Sequence, residues 1–183
     1  MKVLTTAIDG VFIIEPRVFG DSRGYFFESY NACDFKAQTG LDINFVQDNE
    51  SSSHFGVVRG LHFQLPPFTQ SKLLRCVRGR VLDVAVDIRK NSPTYGKYVT
   101  CELTEENHRQ FFVPKGFAHG FCVLSENAIF QYKCDEFYHP EAEGAIAWND
   151  PDIKIPWPIN ADEIELSEKD KHHPFLKDFI TPF

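Results

Sequence analysis

No stretch of this chain approaches the roughly 18 consecutive apolar residues that a membrane-spanning helix requires. The opening Met1-Lys2-Val3-Leu4-Thr5-Thr6 also lacks the apolar core of a secretion signal. These absences predict a cytoplasmic protein with no membrane partner. Basic residues are a minority: 19 Lys and Arg stand against 26 Asp and Glu, a formal net charge of −7. That balance argues against a surface built to coat nucleic acid, which needs clustered cations to replace counterions. A small anionic ligand remains compatible with it, because a few local Arg and Lys residues suffice for a diphosphate. Cysteine is sparse, at positions 33, 76, 101, 122 and 134, an odd set without Cys-x-x-Cys spacing. Such a set gives no disulfide framework and reads as reduced, mostly buried thiols.

Helical signal is scarce too. Asn31 to Thr39 has room for two turns with Gly40 as a stop, and Ser167 is placed to cap a short turn running to Lys171. There is no βαβ alternation and no repeat of fixed length. What the chain has is short runs of period two. In Val81 to Arg89, Leu82, Val84, Val86 and Ile88 fall on one face and Asp83, Asp87 and Arg89 on the other. Similar runs recur at 10–15, 25–29, 57–64, 72–77, 98–103, 110–113, 120–124, 128–135 and 145–148. Turn residues such as Gly20-Asp21-Ser22-Arg23-Gly24, Leu65-Pro66-Pro67 and Pro114-Lys115-Gly116 separate them. Many short strands predict an all-β sandwich or barrel with a few short helices. At 183 residues and 43% hydrophobic, with 18 Phe, one domain can bury its own core. The Pro-rich stretch from about 151 onward is expected to wrap that domain as a tail.

Two segments carry chemistry. Gly60-Leu61-His62-Phe63-Gln64 and Pro114-Lys115-Gly116-Phe117-Ala118-His119-Gly120 resemble the two signature motifs of the cupins, whose fold is a jelly roll, or double-stranded β-helix. Metal-binding cupins carry His-x-His in the first motif; here the second position is Gln64, a poor ligand for a transition metal, and Lys72 stands where an anionic ligand would be wanted. The barrel is expected without the metal. A lone histidine on a strand is most simply a satisfied rim residue, but Arg59, Gln64 and Lys72 close by are costly to bury without polar partners, and a polar pocket explains them jointly.

Further stretches sharpen the resemblance: Asp21 to Glu28, Phe45 to Asn49, Val58 to Gln64, Val84 to Arg89, Pro114 to Phe121 and Ile146 to Pro151. Together, and in this order, they resemble the dTDP-4-dehydrorhamnose 3,5-epimerase family over nearly the whole chain. The resemblance implies inversion of carbons 3 and 5 of dTDP-4-dehydro-6-deoxy-D-glucose, without a redox cofactor or metal, because the ketone at carbon 4 acidifies both hydrogens. His62 matches the base and Asp170 the carboxylate paired with it; an imidazole, with a reference pKa of about 6.5, offers a neutral base near neutrality. Lys72 matches the cation near the developing enolate oxygen, and Tyr132 the acid on the opposite face of the sugar. Arg23, Glu28, Gln47, Asn49, Arg59, His119, Glu143 and Lys169 match positions that hold nucleotide, diphosphate and sugar, and Tyr138 the aromatic that stacks on thymine. The family further implies a homodimer.

Strand parity sets two expectations. Tyr132 and Tyr138 share a face, whereas Arg59 and His62 fall on opposite faces unless Gly60 marks a bulge. His139, His172 and His173 sit in loop-like sequence and read as solvated. Phe63, where the family often has tyrosine, is expected to alter pocket polarity. The alternatives are a single-centre 3- or 5-epimerase of a related deoxysugar pathway, a metal cupin, or a non-catalytic sugar-binding jelly roll.

Overall fold

A computed structural model describes all 183 residues. The strands are β1 (Lys2–Thr5), β2 (Phe12–Glu15), β3 (Phe19–Asp21), β4 (Gly24–Phe26), β5 (Gln47–His54), β6 (Val58–Gln64), β7 (Lys72–Arg78), β8 (Arg80–Asp87), β9 (Tyr98–Thr104), β10 (Gln110–Val113), β11 (Phe117–Val123), β12 (Asn127–Cys134) and β13 (Glu143–Ala145). The one α-helix, α1 (Ala32–Thr39), begins where Asn31 Oδ1 accepts the N–H groups of Cys33 and Asp34. It stops at Gly40, whose φ of 75° suits a residue without a Cβ.

Two sheets face each other. One has six strands in the order β1-β2-β10-β7-β12-β5, the other five in the order β13-β6-β11-β8-β9, and β3 and β4 form a separate hairpin. Leu74, Phe111 and Phe130 from the first sheet share one buried cluster with Val81, Ala85, Phe117 and Phe121 from the second. This is the cupin jelly roll. No helix is long and apolar enough to cross a membrane.

The alternation in β8 has a consequence for charge. Val84, Val86 and Ile88 pack outward with Leu61, Ala118 and Ile146 under a cover that includes Ile153 and Leu176 of the C-terminal segment. The aspartate face therefore turns inward, and Asp83 and Asp87 are both fully buried. The C-terminal segment also adds a parallel bridge, Val57 to Glu165, beside the start of β6. The outer face of the six-stranded sheet is covered differently, by Phe35 of α1 on Ile14, Leu73 and Phe112.

Candidate active site

The interior opens into a cavity of about 600 Å³, within the size range of small-ligand sites. Asn49, Arg59, His62, Lys72, His119, Tyr132, Glu143, Lys169 and Asp170 all line it. They come from both sheets and from the C-terminal segment, so the cavity exists only in the folded chain.

His62 and Arg59 both reach this cavity because β6 is bulged. Arg59 pairs with Phe121 and His62 with His119, so Gly60 and Leu61 together oppose the single residue Gly120. Asp170 arrives from 108 residues away: hydrogen bonds from Val58 N–H to Glu165 O and from Glu165 N–H to Gly56 O lay the chain beside β6. The next turn then sets Asp170 Oδ1 2.5 Å from His62 Nε2. With Nε2–H donated to the carboxylate, Nδ1 of His62 is the nitrogen with a free lone pair. Burial pushes the Asp170 carboxyl up, but hydrogen bonds from His62, Ser167 and His173 outweigh it and hold Asp170 below the usual carboxylate range.

A second histidine–carboxylate pair lies deeper. His119 Nε2 is 2.5 Å from Asp83 Oδ1, and the imidazole stacks parallel to Phe130. Burial pushes Asp83 up and His119 down, each partly countered by the other. Asp83 Oδ2 has no hydrogen-bond partner in the protein.

From the opposite sheet, Tyr132 on β12 and Lys72 on β7 face His62, and the Lys72 ammonium lies 5.8 Å from the centre of the Tyr132 ring. Burial pushes the Tyr132 phenol up to about 12 and the Lys72 ammonium down. At neutral pH Tyr132 is thus a protonated donor, and the Lys72 amine has no carboxylate within ion-pair distance. Arg59 is similarly free of carboxylates, donating only to Ser53 Oγ at 3.1 and 3.0 Å.

At the mouth, Tyr138 Oη and Lys169 Nζ both donate to Glu143 Oε2. Glu143 is pushed up by burial but held low by these two donors. Gln47 does not line the cavity; it joins this group through the Tyr138 N–H and Asn49 Oδ1. Arg23 and Glu28 lie elsewhere: Arg23 sits on the exposed hairpin, ion-paired to Asp21, and Glu28 accepts from Asn31.

Four expectations change. Tyr138 belongs to the loop after β12, which ends at Cys134, so strand parity with Tyr132 does not place it. Phe63 is 4% exposed and packs outward on Phe179 and Phe183, away from the cavity, because it follows His62 by one residue. His173 is largely buried and reaches Asp170 Oδ1 at 3.2 Å, held there by the docked C-terminal segment. His139 stacks on Phe68 at 3.7 Å between ring centres and pairs with Glu141. Asp83 was missed as the partner of His119: alternation set it on the face opposite Val84 but did not say which face turns inward.

His62, Asp170 and His173 are the one group of metal-type ligands, their ligand atoms lying within 4.8 Å of one another. Both imidazoles share Asp170 Oδ1, and Gln64, at the cupin ligand position, spends its amide on loop backbone. The donor set is that of a hydrogen-bonded cluster, its carboxylate oxygen already committed to two imidazoles, and not that of a metal cage.

The family model for dTDP-4-dehydrorhamnose 3,5-epimerase matches residues 5–178. The chain is 54% identical over 170 residues to the dTDP-4-dehydrorhamnose 3,5-epimerase of Shigella flexneri, covering 93% of each protein. Among solved structures, the Elizabethkingia anophelis dTDP-4-dehydrorhamnose 3,5-epimerase superposes with a TM-score of 0.93 at 54% identity, over 97% of each chain. A Legionella pneumophila dTDP-6-deoxy-D-glucose-3,5-epimerase, solved with dTDP-4-keto-L-rhamnose, gives 0.94 at 48% identity, over 98% of this chain and 94% of that one.

Proposed function

The chain belongs to the dTDP-4-dehydrorhamnose 3,5-epimerase family, and on that footing we propose that it is an isomerase converting dTDP-4-dehydro-6-deoxy-D-glucose to dTDP-4-dehydro-L-rhamnose. The observation that carries the mechanism is the placement of His62 and Tyr132 on opposite sheets of one cavity. Inversion at a carbon beside a ketone needs a base on one face of the ring and an acid on the other. His62 Nδ1 takes the proton, and the Asp170 carboxylate stabilises the imidazolium that forms. The electron pair moves to the oxygen on carbon 4, where the Lys72 amine, lining the same cavity, meets the developing enolate. Tyr132 then delivers a proton from the far side. Carbons 3 and 5 flank the same carbonyl, so one set of groups serves both.

Arg59 supplies a guanidinium fork for the diphosphate, and Tyr138, Glu143, Lys169, Gln47 and Asn49 form the nucleotide and sugar contacts around the mouth. Arg23 and Glu28 fit the same role only across a dimer. Their hairpin leaves Phe19, Tyr25 and Phe26 between 51% and 67% exposed, and β5 is an unpaired sheet edge. The proposed assembly is a homodimer that covers these surfaces and brings Arg23 and Glu28 to the partner's nucleotide. Five unpaired thiols, one of them exposed, favour a reducing cytoplasm.

The test is solvent-deuterium uptake by mass spectrometry after exhaustive chelation, comparing wild type with His62→Ala. Two deuterons incorporated by wild type and none by the variant are expected. One deuteron would identify a single-centre epimerase instead, and binding without uptake a sugar-binding jelly roll. Sedimentation should give twice the chain mass, and a monomer with full activity would remove the dimer.

A further inference from the structure

Gln64 closes β6 two residues beyond His62 and is 4% exposed. Its Nε2 donates to the Phe68 carbonyl at 2.6 Å and the Phe137 carbonyl at 3.1 Å, while its Oε1 accepts the His139 N–H at 2.7 Å. Two acceptors on one end and a donor on the other fix the orientation of the amide. One buried side chain therefore ties the loop after β6 to the loop after β12.

It is not alone on that second loop. Gln70 Nε2 donates to the Glu136 carbonyl at 2.8 Å and the Phe137 carbonyl at 3.3 Å, and Gln47 Oε1 accepts the Tyr138 N–H at 2.9 Å. Three successive residues, Phe137, Tyr138 and His139, thus have backbone groups held by glutamine side chains. Tyr138 itself is 53% exposed, with its hydroxyl on Glu143. With so little packing around the ring, its position follows from its backbone and that one hydroxyl contact.

We propose that Gln64 is a positioning residue for the nucleotide end of the substrate, fixing the Phe137–His139 backbone from inside the barrel so that Tyr138 stands ready at the cavity mouth. The inference rests on the proposed role of Tyr138 in holding the nucleotide. A loop ordered before binding loses less entropy when the ligand arrives, so the benefit falls on affinity and not on proton transfer. The position that serves as a metal ligand in metal cupins here holds a loop.

The experiment compares Gln64→Met, which keeps the volume and removes all three bonds, with wild type, each with Tyr138 and with Tyr138→Ala. Steady-state epimerisation and calorimetric binding of dTDP are both measured. With Tyr138 present, KM and the dTDP Kd should rise about 10-fold while kcat stays within about 3-fold, the mark of lost uniform binding. In the Tyr138→Ala background the same change should add less than about 2-fold, since residues acting as a unit are not additive. Gln70→Ala, which removes rim donors to the same loop, should shift KM in the same direction and carries the test if Gln64→Met fails to fold by circular dichroism. A fall in kcat at unchanged KM, or an equal KM shift without Tyr138, would overturn the proposal. If wild type binds dTDP but turns over no sugar, the enzymatic function fails while the Kd comparison still judges Gln64.

Discussion

Arg59 and His62 lie three residues apart on one strand and still face the same cavity, because Gly60 and Leu61 together oppose Gly120. Plain alternation would send one of them outward. The bulge depends on glycine: Gly60 has φ of 130°, and a Cβ there would lie 2.6 Å from Gly120 Cα and 2.9 Å from the His119 carbonyl oxygen. Gly60→Ala is therefore expected to cost at least the roughly 1–3 kcal/mol of a strained backbone, and to disable the site by moving His62. Thermal melts and turnover check both; a variant with wild-type Tm and activity would show that the bulge tolerates a side chain.

For the base, His62→Ala should lower kcat by about 10²- to 10⁴-fold, the usual worth of a positioned base. Asp170→Asn should lose activity as well, since the amide no longer stabilises the imidazolium. Because Asp170 is held below its ordinary range, its charge persists over the neutral range. Its contribution to stability is present above the unfolded carboxyl pKa of about 3.9 and is lost as pH falls through the lower folded value. Wild type and Asp170→Asn should accordingly converge in stability at strongly acidic pH, and a constant difference between their melting curves would contradict this.

Tyr132→Phe separates the two faces of the reaction. His62 remains able to remove and return a proton on its own side, so deuterium should still enter the substrate while formation of the inverted product falls by about 10²-fold or more. Full inversion in this variant, followed by chromatography of the nucleotide sugars, would assign the acid elsewhere. The phenol, pushed up to about 12 by burial, should not cause the alkaline loss of wild-type activity.

Lys72→Met should trade activity for stability. Burial lowers the lysine below its ordinary pKa, so the penalty for holding the cation is present in full below the folded value and disappears as pH rises toward the unfolded value of about 10.4. At pH 7 the variant should therefore melt above wild type. That gain should shrink toward pH 10, and turnover should be lost. A variant that is less stable at pH 7 would place the ammonium in a structural role.

Much of this protein is legible along the chain. The period-two runs fix ten of the thirteen strands to within a few residues, because a half-buried strand writes its burial into every second side chain. Strand β5, Gln47 to His54, escaped this reading: it is polar on both faces and held by its pairing with β12, for which its own sequence has no hydrophobic signal. The motif around His62 pointed to a polar pocket, and the resemblance supplied the expected base and its partners, but neither could show a cavity.

The sequence by itself determined the all-β class and the residue types of the chemistry, since each depends on composition or on neighbours within a few positions. Only the tertiary structure decided which side chains meet. Asp170 reaches His62 because a C-terminal segment docks beside β6, and Gln64 turns from an absent metal ligand into a loop anchor because Phe68, Phe137 and His139 surround it. Hydrogen bonds act over about 3 Å whatever the distance along the chain, so their partners are set by the packing that brings remote backbone together.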